Sequence, residues 1–160
     1  MTNVLLAIDG PLYGKVIEDF VVNHRWVKGT KFKLVHFIEP VSNLEAHPDG
    51  RFALKDCEHQ NNELLKDLAT QIASALPDTE VTFEVTFGIP KEEILAESLG
   101  WPAHMIVIGS HGRKGIQRFL LGSVSQAVIM QAPCSVILIR LPETVDEKKK
   151  PEAEVATAAH

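Results

Sequence analysis

Cysteine is nearly absent from this chain, and its scarcity excludes two functions. Cys57 and Cys134 are the only two among 160 residues. They do not form a Cys-x-x-Cys pair, so neither a zinc site nor a dithiol redox centre is expected. Cys57 falls in an amphipathic stretch and Cys134 just before an apolar strand, so both read as reduced packing residues. Long apolar runs are missing too. None approaches the roughly 18 residues that cross a bilayer. The stretch from Met1 to Ala7 has no basic start and meets Asp9 too early for a signal sequence. The expectation is a cytoplasmic protein with no membrane insertion. Positive charge is not in excess either: the formal net charge is −5, which argues against general nucleic-acid binding. The length is that of one domain.

The most informative absence is local. Between Ser98 and Pro142 there is no Asp or Glu, while Arg113, Lys114, Arg118 and Arg140 lie inside that window. A cationic stretch in an acidic protein suits a small polyanionic ligand. Chance clustering around a buried strand is the competing explanation.

What is present alternates short apolar runs with longer helical periods. Strands are expected at Val4–Ile8, Lys31–Ile38, Glu80–Phe87, Met105–Ile108 and Ser135–Ile139. Helices are expected at Tyr13–Val27, Ala53–Leu76, Lys91–Leu99 and Ser123–Gln131, with Val16, Ile17, Phe20, Val21 and Val27 as the buried side of the first. Pro40–Arg51 reads as a polar loop. Five strands separated by helices make a β-α-β array, hence an α/β domain with a parallel sheet and right-handed crossovers. Strands one and four are apolar throughout and belong in the centre, covered on both faces. Strand three has a polar face and belongs at an edge. Strand five is apolar yet falls at the opposite edge, a hazard best relieved by pairing with its own copy. A homodimer through Ser135–Ile139 is therefore expected. The domain occupies residues 1–142, and the charged, Ala-rich sequence 143–160 reads as a disordered tail.

In open α/β sheets, ligands sit beyond the carboxyl ends of the strands, where the winding reverses. Asp9 ends strand one and Gly109 ends strand four; if those strands are neighbours, both line one crevice. Gly109 and Gly112 lack Cβ, so their N–H groups can approach a phosphate and the chain can take positive φ. Gly122 and Ser123 open a helix whose free N–H groups attract anions, with Ser123 a suitable N-cap. An ordinary loop with glycines at its turns would share these features.

The spacing Gly109-x2-Gly112-x9-Gly122-Ser123 resembles the nucleotide motif of the universal stress protein family. Ile106–Arg113, Leu120–Val124 and Ala132–Arg140 are similar to that family's C-terminal half, and Val4–Asp9, Lys33–Phe37 and Gly88–Pro90 to its other strand ends. The resemblance covers roughly residues 2–141. It implies a Rossmann-like sheet of order 3-2-1-4-5, usually dimeric through the last strand, that binds ATP. By position, it implies that Asp9 and Gly109 hold the ribose and that the backbone of Phe37 meets the adenine edge. Gly112, Gly122, Ser123 and Val124 would hold phosphates bridged by Mg²⁺, with Arg113 beside them. Three positions depart from the family: Pro11 and Gly14 stand where serines are frequent, and His104 where aspartate is.

Other signals point elsewhere and fail. Gly10–Lys15 has P-loop flavour, but three residues separate its glycines and Val16 replaces the Ser/Thr that would ligate Mg²⁺. A phosphoacceptor receiver domain needs an aspartate after strand three and a lysine after strand five; the chain has Gly88–Pro90 and Arg140–Pro142. The seven histidines show no paired ligand spacing. His24 and His59 read as helix-surface residues, His36 as packed or hydrogen-bonded, and His111 as a loop-stabilising residue that could also contact phosphate or act as an acid/base. Trp26 and Trp101 read as core covers at element ends. No acid in the phosphate-loop region could activate water. The sequence therefore supports a regulatory ATP binder acting on a partner protein better than it supports a slow ATPase. AMP or a cyclic nucleotide is a further alternative ligand.

Overall fold

A computed structural model describes residues 1–40, 50–110 and 121–141. Nine elements alternate along them: β1 (Asn3–Ala7), α1 (Pro11–Asn23), β2 (Lys31–Ile38), α2 (Gly50–Ala75), β3 (Glu80–Phe87), α3 (Pro90–Gly100), β4 (Met105–Gly109), α4 (Ser123–Gln131) and β5 (Ser135–Ile139). The five strands form one parallel sheet of order β3-β2-β1-β4-β5.

Alternation of side chains along each strand divides the core in two. Val4, Leu6, Phe32, Leu34 and Val107 pack with Ile17 and Val21 of α1 and with Leu65, Leu68 and Ile72 of α2. Leu5, Ala7, Val35, Phe37, Ile106 and Ile108 pack on the other face with Ile94 of α3 and Val128 of α4. The central strands β1 and β4 feed both layers, which is why their sequences are apolar throughout. The edge position of β3 follows from its polar face. Glu80 pairs with Lys31 at 2.6 Å, and Glu84 with Lys33 at 2.8 Å, while Lys33 also reaches Glu97 of α3 at 2.6 Å. Burial lowers the Lys33 pKa, but the hydrogen bonds to Glu84 and Glu97 outweigh it and the net direction is upward.

The helix ends differ from expectation. The first helix starts at Pro11 and stops at Asn23, so Val27 is 68% exposed and is not a core residue. The stop is tertiary. Trp26 donates its indole N–H to the Val21 carbonyl at 2.8 Å and sets its ring edge-on to Phe32, which satisfies a helix-end acceptor and turns the chain away. Gly50 already belongs to α2, so the expected loop ends earlier. Both cysteines are free and partly buried. Burial pushes the Cys134 thiol pKa up, which keeps it protonated. The expected tail lies outside the described residues.

Candidate functional site

The sheet winds outward from β1 through β2 to β3, then returns to β4 and β5 on the other side. The reversal falls between β1 and β4, which pair with Ala7 level with Ile108. Continuing that register brings Asp9 beside the Gly109–Ser110 end of β4, so the two strands expected to be neighbours are, and their carboxyl ends lie side by side. Asp9 is exposed there. Gly10 follows at φ 87°, a left-handed conformation that favours glycine, and turns the chain into α1. Pro11 then suits the first helical position, where its fixed φ fits and its missing N–H costs nothing. The other departures from the family pattern also have local reasons. A Cβ on Gly14 would lie 2.8 Å from Leu68 Cδ1, so α1 packs closely on α2 there and a side chain would make the end of Leu68 shift. His104 clamps the opposite end of β1, accepting the Asn3 N–H at Nδ1 and donating its own N–H to the Asn3 carbonyl.

Phe37 is placed by β2. The Val35 carbonyl accepts from Ile8 N–H and Lys31 N–H donates to Thr2, so alternate residues of β2 turn their peptide groups toward β1. Phe37 belongs to that set. Beyond Ile8 the chain leaves through Gly10, so the Phe37 N–H and C=O face the space where β1 no longer runs, while its ring stays 9% exposed in the core. His36, one residue back, is buried and donates from Nδ1 to the Ile8 carbonyl at 2.7 Å.

On the β4 side Ser110 is the junction. It is 1% exposed. Its N–H donates to the Ile139 carbonyl at 2.8 Å, and its own carbonyl accepts from Gly122 N–H at 2.9 Å and from Ser125 Oγ at 3.0 Å. These bonds set Gly122 next to the end of β4 and start α4 there. The N-cap of α4 is Gly122, and Ser123 is the first helical residue, which corrects the expectation that Ser123 caps the helix. No side chain caps the helix; Ser125 instead donates its hydroxyl to the Gly122 carbonyl at 2.9 Å as well, bracing the turn that leads into it. Its signal in the sequence is faint, a second serine just after Ser123. Gln126 N–H makes the first backbone bond of the helix, to Gly122, so the N–H groups of Ser123, Val124 and Ser125 have no acceptor within it.

A second correction concerns Gly109. Among the described glycines only Gly10 and Gly29 have positive φ. A Cβ on Gly109 would lie 2.5 Å from Cδ1 and 2.7 Å from Cε1 of Tyr13. Glycine is needed there because a tyrosine ring fills the space, a residue that sequence reasoning had left out of the site. Gly112, Arg113 and His111, with Lys114 and Arg118, lie outside the described residues. Lys15, the lysine of the P-loop-like stretch, turns along its helix to Glu18 at 2.9 Å and Asp19 at 3.2 Å. Those side-chain hydrogen bonds raise its pKa. Trp26 and Trp101 pack on the two core layers, as expected of covers at element ends.

Two helices, α1 and α4, thus aim their N-termini at the crevice, and neither has an acid in its first turn. The positive ends of their dipoles favour an anion. Among the described residues no group of three or more His, Cys, Asp or Glu could hold a metal ion, and no helix is long and apolar enough to cross a membrane.

A parallel α/β domain with a crevice at its switch point defines the Rossmann-like class of fold. Residues 1–140 match the Universal stress protein family, and the chain belongs to it. A universal stress protein of Thermus aquaticus is 30% identical over 137 residues, covering 86% of this chain and 97% of the relative. Among solved structures, the hypothetical protein MJ0577 superposes with a TM-score of 0.79 at 19% identity, over 89% of this chain and 97% of its own. A universal stress protein family protein from Arabidopsis thaliana, solved with AMP bound, gives 0.60 at 18% identity, over 93% and 97%.

Proposed function

We propose that this chain is a regulatory protein that binds ATP between the ends of β1 and β4 and does not turn it over. The observation that carries the reading is the pair of helix N-termini, α1 and α4, which converge on one crevice without an acid in either first turn. In this reading Asp9 and Gly109 hold the ribose and the outward peptide of Phe37 meets the adenine edge. Gly112, Arg113, Gly122, Ser123 and Val124 hold the phosphates. Mg²⁺ would be held by the phosphates. The chain's own contribution is to bind and orient. Among the described residues the acid at the strand ends is Asp9, assigned in this reading to the ribose, which leaves none of them as a general base for the terminal phosphate.

The apolar edge of β5, with only β4 beside it, supports a homodimer through Ser135–Ile139. Nucleotide occupancy then acts on a partner protein by favouring one of two conformations. AMP is a second reading, favoured by the Arabidopsis relative solved with it. Mass spectrometry of nucleotide carried by the purified protein, followed over hours with Mg²⁺, separates these readings. Intact ATP is expected. Steady conversion to ADP would overturn the non-catalytic assignment, AMP alone would replace ATP, and no binding at millimolar nucleotide would end the proposal. Sedimentation should give a dimer at tens of micromolar; a monomer there contradicts the β5 interface.

A further inference from the structure

We propose that Tyr13 is a positioning residue for the phosphate end of this site, acting through Gly109 and Ser110; the proposal rests on the nucleotide reading above. Tyr13 stands in the first turn of α1 and is 6% exposed. Its ring occupies the space a side chain at position 109 would take, with ring carbons 2.5 to 2.9 Å from that Cβ. A buried ring gives way far less readily than the tip of a flexible chain. Its hydroxyl lies 3.3 Å from Ser110 Oγ, joining residues 97 apart in sequence.

Ser110 therefore ties three elements together. Its hydroxyl meets α1, its N–H holds the end of β5, and its carbonyl holds Gly122 and Ser125 at the start of α4. The two helix N-termini that face the crevice are linked through this residue. A shift of α1 moves Ser110, and with it Gly122. Tyr13 thus fixes the spacing between the Asp9 end, where the ribose would sit, and the α4 end, where the phosphates would sit. Glycine at 109 is thus required by the Tyr13 ring, whatever else approaches it.

The test compares the full chain with Tyr13→Phe, Gly109→Ala and the double variant Gly109→Ala/Tyr13→Ala. Affinities for ATP and adenosine are read by calorimetry, amide exchange at Gly122 by NMR, and folding by circular dichroism. Tyr13→Phe keeps the ring and removes the hydroxyl. It should weaken ATP about fivefold, the scale of one hydrogen bond, weaken adenosine less, and speed exchange at Gly122. Gly109→Ala should lose more ATP affinity than that, and adding Tyr13→Ala should recover part of the loss. Wild-type ATP affinity and Gly122 exchange in Tyr13→Phe would overturn the proposal, as would a double variant no better than Gly109→Ala. Exchange at Gly122 is read without ligand, so the two readings fail separately. A wild-type chain that binds no nucleotide sinks the site, whereas unaltered exchange sinks the tie.

Discussion

All four described helices follow strands of one parallel sheet and begin at the same end of it, but only α3 has acids in its first turn. In α3 the first turn holds Glu92 and Glu93. Their N–H groups bond the Ile89 carbonyl, and the Glu93 side chain folds back over Gly88, close enough that a Cβ there would collide with it. α1 and α4 have Gly10 and Gly122 as N-caps, no acid in the first turn and no side-chain cap bond. Parallel β-α-β topology brings positive helix ends to one rim of any such sheet. What distinguishes this rim is where acids were placed: two in the first turn of α3 and none in the first turns of α1 and α4, with Asp9 standing just before the α1 N-cap.

The largest expected effect comes from blocking the uncapped end of α4. Gly122 has φ −62° and ψ 152°, an extended conformation that valine adopts without strain. Gly122→Val should therefore leave the fold intact while its side chain crowds the N–H groups of Ser123 and Val124. Losing one or two charge-assisted hydrogen bonds at about 1.5–3 kcal/mol each predicts an ATP affinity lower by about a hundredfold. Calorimetry checks this beside a circular-dichroism spectrum; a folded variant that binds ATP normally would misplace the phosphate site.

A smaller change would make α4 resemble α3. Ser123→Asp puts a carboxylate in the first turn, which should raise the stability of the ligand-free protein by about 0.3–1 kcal/mol through the helix dipole. The same charge should repel the phosphates and weaken ATP about tenfold, or about 1.4 kcal/mol. Melting with and without ATP reads both effects at once. The expected pattern is a higher midpoint without nucleotide and a smaller rise on adding it; a change of the same sign in both would mean that this helix end does not face the ligand.

Sheet order was legible in the sequence because burial leaves a local trace. Leu5 and Leu6 in β1, and Ile106 and Val107 in β4, are apolar in succession because each neighbouring pair faces opposite core layers. Glu80 and Glu84 mark the uncovered face of β3. The strand ends that meet at the crevice, Asp9 and Gly109, were legible for the same reason. Details resting on distant contacts were not. Val27 continued the helical period of α1, but Trp26 folds back on Phe32 and ends the helix first. The helix Ser123–Gln131 was legible, but its N-cap was not: Ser123 had the composition of a cap, yet Gly122, whose N–H donates to the Ser110 carbonyl, holds that place. The reason for glycine at 109 was hidden altogether, since its cause, Tyr13, stands on another element.

The smallest effect tests the other side of the comparison. Glu93→Gln removes one of the two carboxylates from the first turn of α3 and keeps nearly the same shape over Gly88. The dipole loses a favourable partner, a cost of about 0.3–1 kcal/mol, or about 1–4 °C in melting midpoint for a domain of this size. ATP affinity should not change, because α3 starts after the edge strand β3, with β2 between it and β1. This variant and Ser123→Asp therefore move stability in opposite directions, while only Ser123→Asp moves binding. Were Glu93→Gln to strengthen ATP severalfold, the nucleotide would be sensing charge across the whole rim, and the separation between a closed helix end and two open ones would be one of degree.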